Sequence, residues 1–525
     1  MREFSSLIII LLLFQFSSFA QNSARGTIYE DANGNGKKDR KEKGIPGVAI
    51  SNGIEVVLTD NLGKYVLPVG NDNIIFVVKP SGYKFQPDSN FQTRFYYIHK
   101  PEGSPAGYKY AGVTPTGKLP ASIDFGLTRN EEPENFTAFI FGDPQPYTAQ
   151  ELDYFSRGVV DSVSGIKNIT FGISLGDIVG DDLNLHLEYL KVMRKAGIPW
   201  YNVMGNHDMN YEAKSDSLSD ESFEAHFGPA NYAFNYGKIH LIVMDDILYP
   251  DPRGRNGYWG GFTKTQLAFI ENDLKHVSKD KLVIVSFHIP LMQYGDTYRL
   301  EDRQRLFDLL TPFQNALILS AHTHLQRNDF YTKADGWKGE KPLHEYNAAT
   351  TSGDWYSGEL NKDGIPYSTM RDGTPKGFAL IHFNGNQYTI DYQVIGKPAD
   401  YQLEIFAPKV IPDKLRWTTY KFYVNYFMGS PKDTLEYSID GGKWSRMFPT
   451  EEASPDYLDL LHRWDFTPQL MPGRRPSNPE KSTHVWQVNC PNNLQVGKHV
   501  ISVRVRDMFG RVFMGTEEFM VEEKK

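Results

Sequence analysis

The sequence predicts an α/β layered domain flanked on both sides by β-rich, sandwich-like domains. Three observations carry this expectation. Six short apolar strands alternate with helical stretches through the middle of the chain, Gly- and Asn-punctuated alternating segments precede them, and hairpin signals follow. At 525 residues the chain exceeds what one hydrophobic core serves, so several domains are required. Its composition, 40% hydrophobic, 14% aromatic and 23% charged, excludes a disordered chain. Net charge is -8 and no Lys/Arg run is dense enough to track a phosphate backbone, which argues against nucleic acid as a partner. An anionic substrate then needs a local positive centre such as bound metal.

Residues 1–20, MREFSSLIIILLLFQFSSFA, carry one Arg, an apolar core from Leu7 to Phe16 and the small residues Ser18 and Ala20. This reads as a secretory signal cleaved after Ala20, against the alternative of an uncleaved anchor, because the apolar core is too short to span a bilayer comfortably. The expected protein is exported (periplasmic, secreted or at the cell surface), with no transmembrane segment in the mature chain. Cys490 is the one cysteine, which excludes an internal disulfide and leaves none at the cleavage point for lipid attachment.

Residues 21–130 predict a small β-sandwich. Alternation in Val48-Ala-Ile-Ser and Glu55-Val-Val-Leu is broken by Asn-Gly and by Asp-Asn-Leu-Gly. Within it Asp31, Asn33, Asn35, Gly36, Lys37, Asp39 and Glu42 take positions 1, 3, 5, 6, 7, 9 and 12 of a calcium loop, a spacing that wraps one hard cation in oxygen ligands. The competing reading is a polar turn between strands, and no helix pattern precedes the loop. The stretch, with GIPGVAI and TDNLGKYVLPV, resembles bacterial surface B-type repeats and carboxypeptidase-regulatory-like domains, which implies a structural calcium.

After a charged, Pro-containing linker, Arg129 to Phe136, residues 135–400 form the layered domain. FTAFIFGD, ITFGISLGD, PWYNVMGNHD, KIHLIVMDD, LVIVSFHIP and ALILSAHTH read as strands. QELDYFSRGVVDSV, NLHLEYLKVMRKAG, TKTQLAFIENDLKHV and RLEDRQRLFDLL between them carry apolar residues at helical spacing. Residues 401–525 return to β signals, with turns at Ser438-Ile-Asp-Gly-Gly442 and Asp507-Met-Phe-Gly510.

Polar residues end five of the central strands: Asp143, Asp177, Asn206 with His207 and Asp208, His288, and His322 with His324. That edge is where open α/β folds bind ligands. Each has a bland reading as cap, turn or loop residue, but five together do not. Two divalent cations can orient hydroxide and clamp an in-line displacement at phosphorus. Asp177 suits a bridging carboxylate between them, and alternate histidines of an extended segment suit opposite metals.

With these motifs in order, residues 136 to about 390 resemble the calcineurin-like metallophosphoesterases. That family reads Asp-x-His, Gly-Asp, Gly-Asn-His-Asp/Glu, His and Gly-His-x-His. Here the series is Asp143-Pro-Gln145, Gly176-Asp177, Gly205-Asn-His-Asp208, His288 and Ala321-His-Thr-His324. The flanking β domains resemble an exported bacterial subgroup. The resemblance implies an αββα sandwich and two divalent ions, manganese or iron, with magnesium or zinc as alternatives. Asp143, Gln145, Asp177 and His324 would hold one ion, and Asp177, Asn206, His288 and His322 the other. His207 would serve the transition state or the leaving oxygen, and Asp208 would orient His207 or its own loop, with Asp181 as a second partner. Gln145 stands where the family has histidine, which favours manganese or magnesium over zinc there. Ala321 replaces a glycine without removing a ligand.

For substrate, GDIVGDD lacks the form found in protein serine/threonine phosphatases. Trp259, Asp354, Trp355 and Arg371 are candidates for a pocket beside the metals, against a reading as ordinary packing and a salt-bridged turn. The expected activity is hydrolysis of a phosphodiester or nucleotide-like small molecule by a dinuclear metal-hydroxide mechanism. The alternatives are a broad phosphomonoesterase and, from another class, a cell-surface or glycan-binding protein whose phosphoesterase domain has decayed.

Overall fold

Two sheets pack face to face in the centre of the computed structural model, which describes residues 22–292, 295–414 and 420–524. The expected export segment, residues 1–20, lies outside them. The first sheet orders its strands Trp200–Val203, Ile169–Leu175, Asn135–Phe141, Gly377–Asn384 and Gln387–Val394. Its first three strands are parallel, and the last two form an antiparallel hairpin. The second sheet orders Tyr232–Tyr236, Ile239–Val243, Leu282–Ser286, Asn315–Ser320, Leu343–Asn347 and Arg327–Tyr331, parallel except at its two edges. Leu282–Ser286 is buried along its whole length, as a central parallel strand covered on both faces must be.

Aromatic rings close the interface between the sheets. Tyr201 stacks on Phe234 at 4.1 Å, and Phe171 meets Phe234 edge-on at 5.5 Å. Outside the first sheet, Phe155 of helix Ala149–Phe155 packs on Phe141, and Tyr189 of helix Leu185–Met193 bonds Ser174. Outside the second sheet, Phe307 of helix Leu300–Leu310 contacts Tyr331. Helix Lys264–Leu274 begins in a reciprocal cap between Thr263 and Gln266. The layers therefore run αββα. The six strands read from sequence are present, and five further ones complete the sheets; the hairpin Gly377–Asn384 and Gln387–Val394 was not singled out because its half-buried pattern lacks a continuous apolar run.

Before the sandwich, two four-stranded sheets span Ser23 to Arg129. Lys100 ties this region to the sandwich through Glu221 at 2.7 Å and Glu224 at 3.2 Å. In the candidate calcium loop, Asp31 accepts the N–H groups of Gly34, Asn35 and Gly36, and Glu42 accepts those of Ala32 and Asp39. Asn33 and Asn35 donate to Asp39, and Lys37 is exposed. After the sandwich come a four-stranded and a five-stranded sheet with hairpins at both turns read from sequence, plus a helix, Pro455–Asp465, that the β signals did not anticipate. Among the described residues, no helix is long and apolar enough to cross a membrane.

Candidate metal centre

The strands Asn135–Phe141, Ile169–Leu175, Trp200–Val203, Leu282–Ser286 and Asn315–Ser320 deliver their following residues to one point. The chain must turn sharply there. Asp143, Gln145, Asp177, His322 and His324 all adopt positive φ, between 28° and 70°, at a cost of about 1 kcal/mol or more each. Gly176 also has positive φ, and a Cβ on it would lie 2.4 Å from the His288 ring; one on Gly205 would lie 1.9 Å from the Asp177 backbone nitrogen. Only glycine lets these loops approach so closely.

His288 Nε2 lies 3.2 Å from Asp177 Oδ2, 3.1 Å from His322 Nδ1 and 3.8 Å from Asp143 Oδ1. His324 Nε2 lies 4.0 Å from Asp143 Oδ1. One ligand atom from each of Asp177, His288 and His322 falls within 4.8 Å of the others. The ring orientations are fixed from behind: His288 Nδ1–H donates to Leu175 O at 2.8 Å, and His324 Nδ1–H to Gly353 O at 3.2 Å, so each turns Nε2 inward.

Three buried acceptors here lack hydrogen-bond partners: Asp143 Oδ1, Gln145 Oε1 and Asn206 Oδ1. An orphaned buried acceptor costs about 1–3 kcal/mol, and three on adjacent loops make sense if cations complete them. Gln145 turns its amide nitrogen toward Tyr147 Oη (3.3 Å) and Asp177 Oδ2 (3.4 Å), which leaves its oxygen for a hard ion. The donor set thus fits divalent metal.

Residues 32–114 match the family model for the N terminal of calcineurin-like phosphoesterases, 138–326 the calcineurin-like phosphoesterase model itself, and 345–513 the model for the C terminal of these proteins. The chain belongs to the calcineurin-like phosphoesterases. It is 26% identical over 198 residues to the uncharacterized protein YvnB of Bacillus subtilis (strain 168), an alignment covering 34% of this chain and 14% of that protein. Among solved structures, it is similar to purple acid phosphatase PPD1 from yellow lupin, at 12% identity, covering 67% of this chain and 69% of that one with a TM-score of 0.34. It is also similar to Vps29 of Chaetomium thermophilum, at 9% identity, 73% and 98% coverage and a TM-score of 0.20.

In this calcineurin-like phosphoesterase the electrostatics of the centre are those of an unscreened cluster. Burial opposes charge on His288, but Asp177 and Asp143 outweigh it and push the imidazole up to about 10. Burial, helped by the His288 charge, takes His322 down to about 3, and burial takes His324 to about 3. Burial raises Asp143, whereas at Asp177 the histidines His288 and His207 overcome burial and hold it below the usual range.

His207 stands at the rim, a quarter exposed, with its Nδ1 2.7 Å from Asp181 Oδ1. Tyr211 Oη donates to the same oxygen and to Asn206 O. The Asp208 carboxylate makes no hydrogen bond to the His207 ring, whose Nδ1 meets Asp181. It is fully buried and accepts from the N–H groups of Ile178 (3.0 Å), Val179 (3.2 Å) and Gly205 (2.9 Å) and pairs with His186 Nε2 (3.0 Å). Both Asp208 oxygens are thus engaged by the backbone of the Ile178 and Gly205 loops and by His186.

The pocket candidates divide. Trp259 and Arg371 line a cleft that starts at His322. Trp355 instead stacks on His324 at 4.0 Å. Asp354 is buried outside the lining of that cleft, and its Oδ2 accepts from Ser357 Oγ and from Ser477 N of the carboxy-terminal region. Sequence reasoning missed Tyr211, Tyr147 and Asp246, whose carboxylate accepts the N–H groups of His288 and Ile289. Asp246 was findable: it ends KIHLIVMDD as other site residues end their strands.

Proposed function

We propose that this chain is an exported hydrolase that cleaves a phosphodiester or nucleotide-like small molecule, using divalent metals held by Asp143, Gln145, Asp177, Asn206, His288, His322 and His324. The observation that carries the reading is the convergence of three unpartnered buried oxygens with three inward-turned imidazoles. Bound ions would supply Lewis acidity toward the phosphoryl group and activate water. The chain's own residues do the rest. Asp181 holds His207 by Nδ1, which leaves Nε2 free to deliver a proton to the leaving oxygen. Asp177 accepts the backbone N–H of His207 at 2.9 Å, which couples the rim histidine to the ligand set. Asp208 keeps the Gly205 and Ile178 loops in register. Gln145 in place of imidazole supports manganese or magnesium over zinc. A cleft of about 1320 Å³ at His322 supports a diester over a simple monoester. The oxygen-rich loop at Asp31 to Glu42 is proposed to take calcium structurally, which would read as a calcium-dependent rise in Tm.

The test is purified protein with Mn²⁺, Fe²⁺, Mg²⁺ or Zn²⁺ against bis-p-nitrophenyl phosphate and p-nitrophenyl phosphate. The diester should turn over faster with Mn²⁺. No hydrolysis of either with any ion contradicts the proposal.

A further inference from the structure

The cleft that begins at His322 does not belong to the sandwich alone. One wall is Tyr258, Trp259 and Arg253; the opposite wall is Thr450, Lys481 and Thr483 of the carboxy-terminal region. At about 1320 Å³ it exceeds the roughly 300–1000 Å³ of ordinary ligand pockets. A reacting phosphate beside His322 occupies only one end.

The two walls are locked in place. Asn328, four residues past His324, donates to Met428 O at 3.0 Å. Asp372 accepts the Gln326 N–H at 2.7 Å and meets the buried His484 at 3.2 Å. Glu480 N donates to Arg371 O at 3.0 Å, and its carboxylate lies 3.4 Å from the Arg371 guanidinium, which also donates to Thr323 O between the two site histidines. These bonds run from the histidine loop itself into the carboxy-terminal sheets, so the far wall is held at a set distance from the reacting end. Such a preformed site pays little ordering cost on binding.

The lining selects what could lie there. Charges of both signs, Arg253, Asp296, Arg327, Asp329 and Glu451, face the cleft with the hydroxyls of Thr450 and Thr483. An acyl chain would desolvate these groups without repaying them. Rings with hydroxyl or amide edges would pair with them, and Tyr258 beside His322 offers an apolar ring near the reacting end. Trp259 Nε1 and Arg371 Nε are buried donors without hydrogen-bond partners, further capacity for a polar ligand.

We propose that the carboxy-terminal region forms the outer wall of the substrate site and grips the non-reacting arm of a phosphodiester, an arm bearing a ring and hydroxyl groups, between the two walls. This rests on the phosphodiesterase reading above. Lys481 and Thr483 then set specificity for the arm without touching the reacting atoms.

Two chromogenic diesters with the same leaving group isolate the arm: ethyl p-nitrophenyl phosphate and thymidine 5′-monophosphate p-nitrophenyl ester. The nucleoside ester should have the higher kcat/KM. Lys481→Glu and Thr483→Trp should each lower the ratio of the two kcat/KM values about ten-fold, chiefly through KM for the nucleoside ester, and Lys481→Arg should keep the ratio. A ratio unchanged in both variants, including the case where both substrates slow equally, overturns the proposal. If wild-type protein hydrolyses neither ester, the phosphodiesterase reading fails, and calorimetric titration with thymidine 5′-monophosphate decides this one separately. Binding weakened about ten-fold by Thr483→Trp sustains the cleft as the arm's site; no binding, or equal binding by the variant, overturns it.

Discussion

Asp208→Ala is expected to cost more stability than almost any other single change at the centre. The side chain is fully buried and its two oxygens accept three backbone N–H groups and the His186 ring at 2.9–3.2 Å. Truncation orphans four donors, at about 1–3 kcal/mol each when counted singly. These costs are not additive, and water entering the space left by the carboxylate recovers part of them, so about 4 kcal/mol is the expected loss. That is a large fraction of the roughly 5–15 kcal/mol that holds a domain folded. Asp208→Asn keeps one acceptor but turns an NH₂ toward the two donors that the other oxygen served, and should lose about 2 kcal/mol. Urea unfolding of metal-free protein reads both losses. Because Ile178 and Gly205 adjoin Asp177 and Asn206, Mn²⁺ binding should weaken about ten-fold in Asp208→Asn, with much of kcat restored at saturating metal. A loss below about 1 kcal/mol in Asp208→Ala would refute the loop-holding role. So would lost turnover at saturating metal with unchanged stability, which would assign Asp208 to the chemistry.

Three further outcomes follow from the same geometry. Asp181→Asn should lower kcat about 10–100-fold with metal content unchanged and a displaced pH profile, since it frees the ring that Asp181 holds at 2.7 Å; unchanged kcat and profile would remove Asp181 as a positioning residue. Gln145→His should raise zinc affinity and reduce the preference for manganese, read by competitive metal titration, and an unaltered preference would mean that Gln145 does not ligate. Glu345 is pushed up to about 7 by burial and by Asp329. Between about pH 4.5 and pH 7 the native state keeps a proton that the unfolded chain releases, so this contribution is complete below about pH 4.5 and is lost as pH rises through 7, about 3 kcal/mol at most. Glu345→Gln should flatten that slope in denaturant midpoints measured across the window, and an unchanged slope would assign it to other groups.

The edge was legible because each ligand candidate closely follows an apolar strand, and the parallel strands of two packed sheets bring such ends to one edge. Metal-ligand types at five strand ends were therefore visible in one dimension. Asp208 was not legible in the same way. Its neighbour in sequence is His207, but its partners are Ile178 and His186, set by how two loops cross, and a strand pattern does not encode that crossing. The positive φ at Asp143 and His322 was hidden for the same reason, since nothing in a side chain's identity announces a strained turn. TSGDWYSGE reads as pocket lining because it joins aromatics to a carboxylate, yet Asp354 lies outside the cleft lining and its Oδ2 accepts from Ser477 N, more than one hundred residues away. Glu480, Lys481 and Thr483 carry no motif at all. They matter only through the fold-level contact that sets the carboxy-terminal sheets against the histidine loop.

The central claim, that the unpartnered oxygens of Asp143, Gln145 and Asn206 are metal ligands, is tested most directly by metal content. Wild type, Asn206→Ala and His207→Ala would be saturated with Mn²⁺, freed of unbound ion by gel filtration, and assayed for manganese per chain together with diester turnover. The expected result is about two ions in wild type and in His207→Ala, with turnover lost in the latter, and a clear fall in occupancy in Asn206→Ala. Full occupancy in Asn206→Ala, or no bound manganese in wild type, would contradict it.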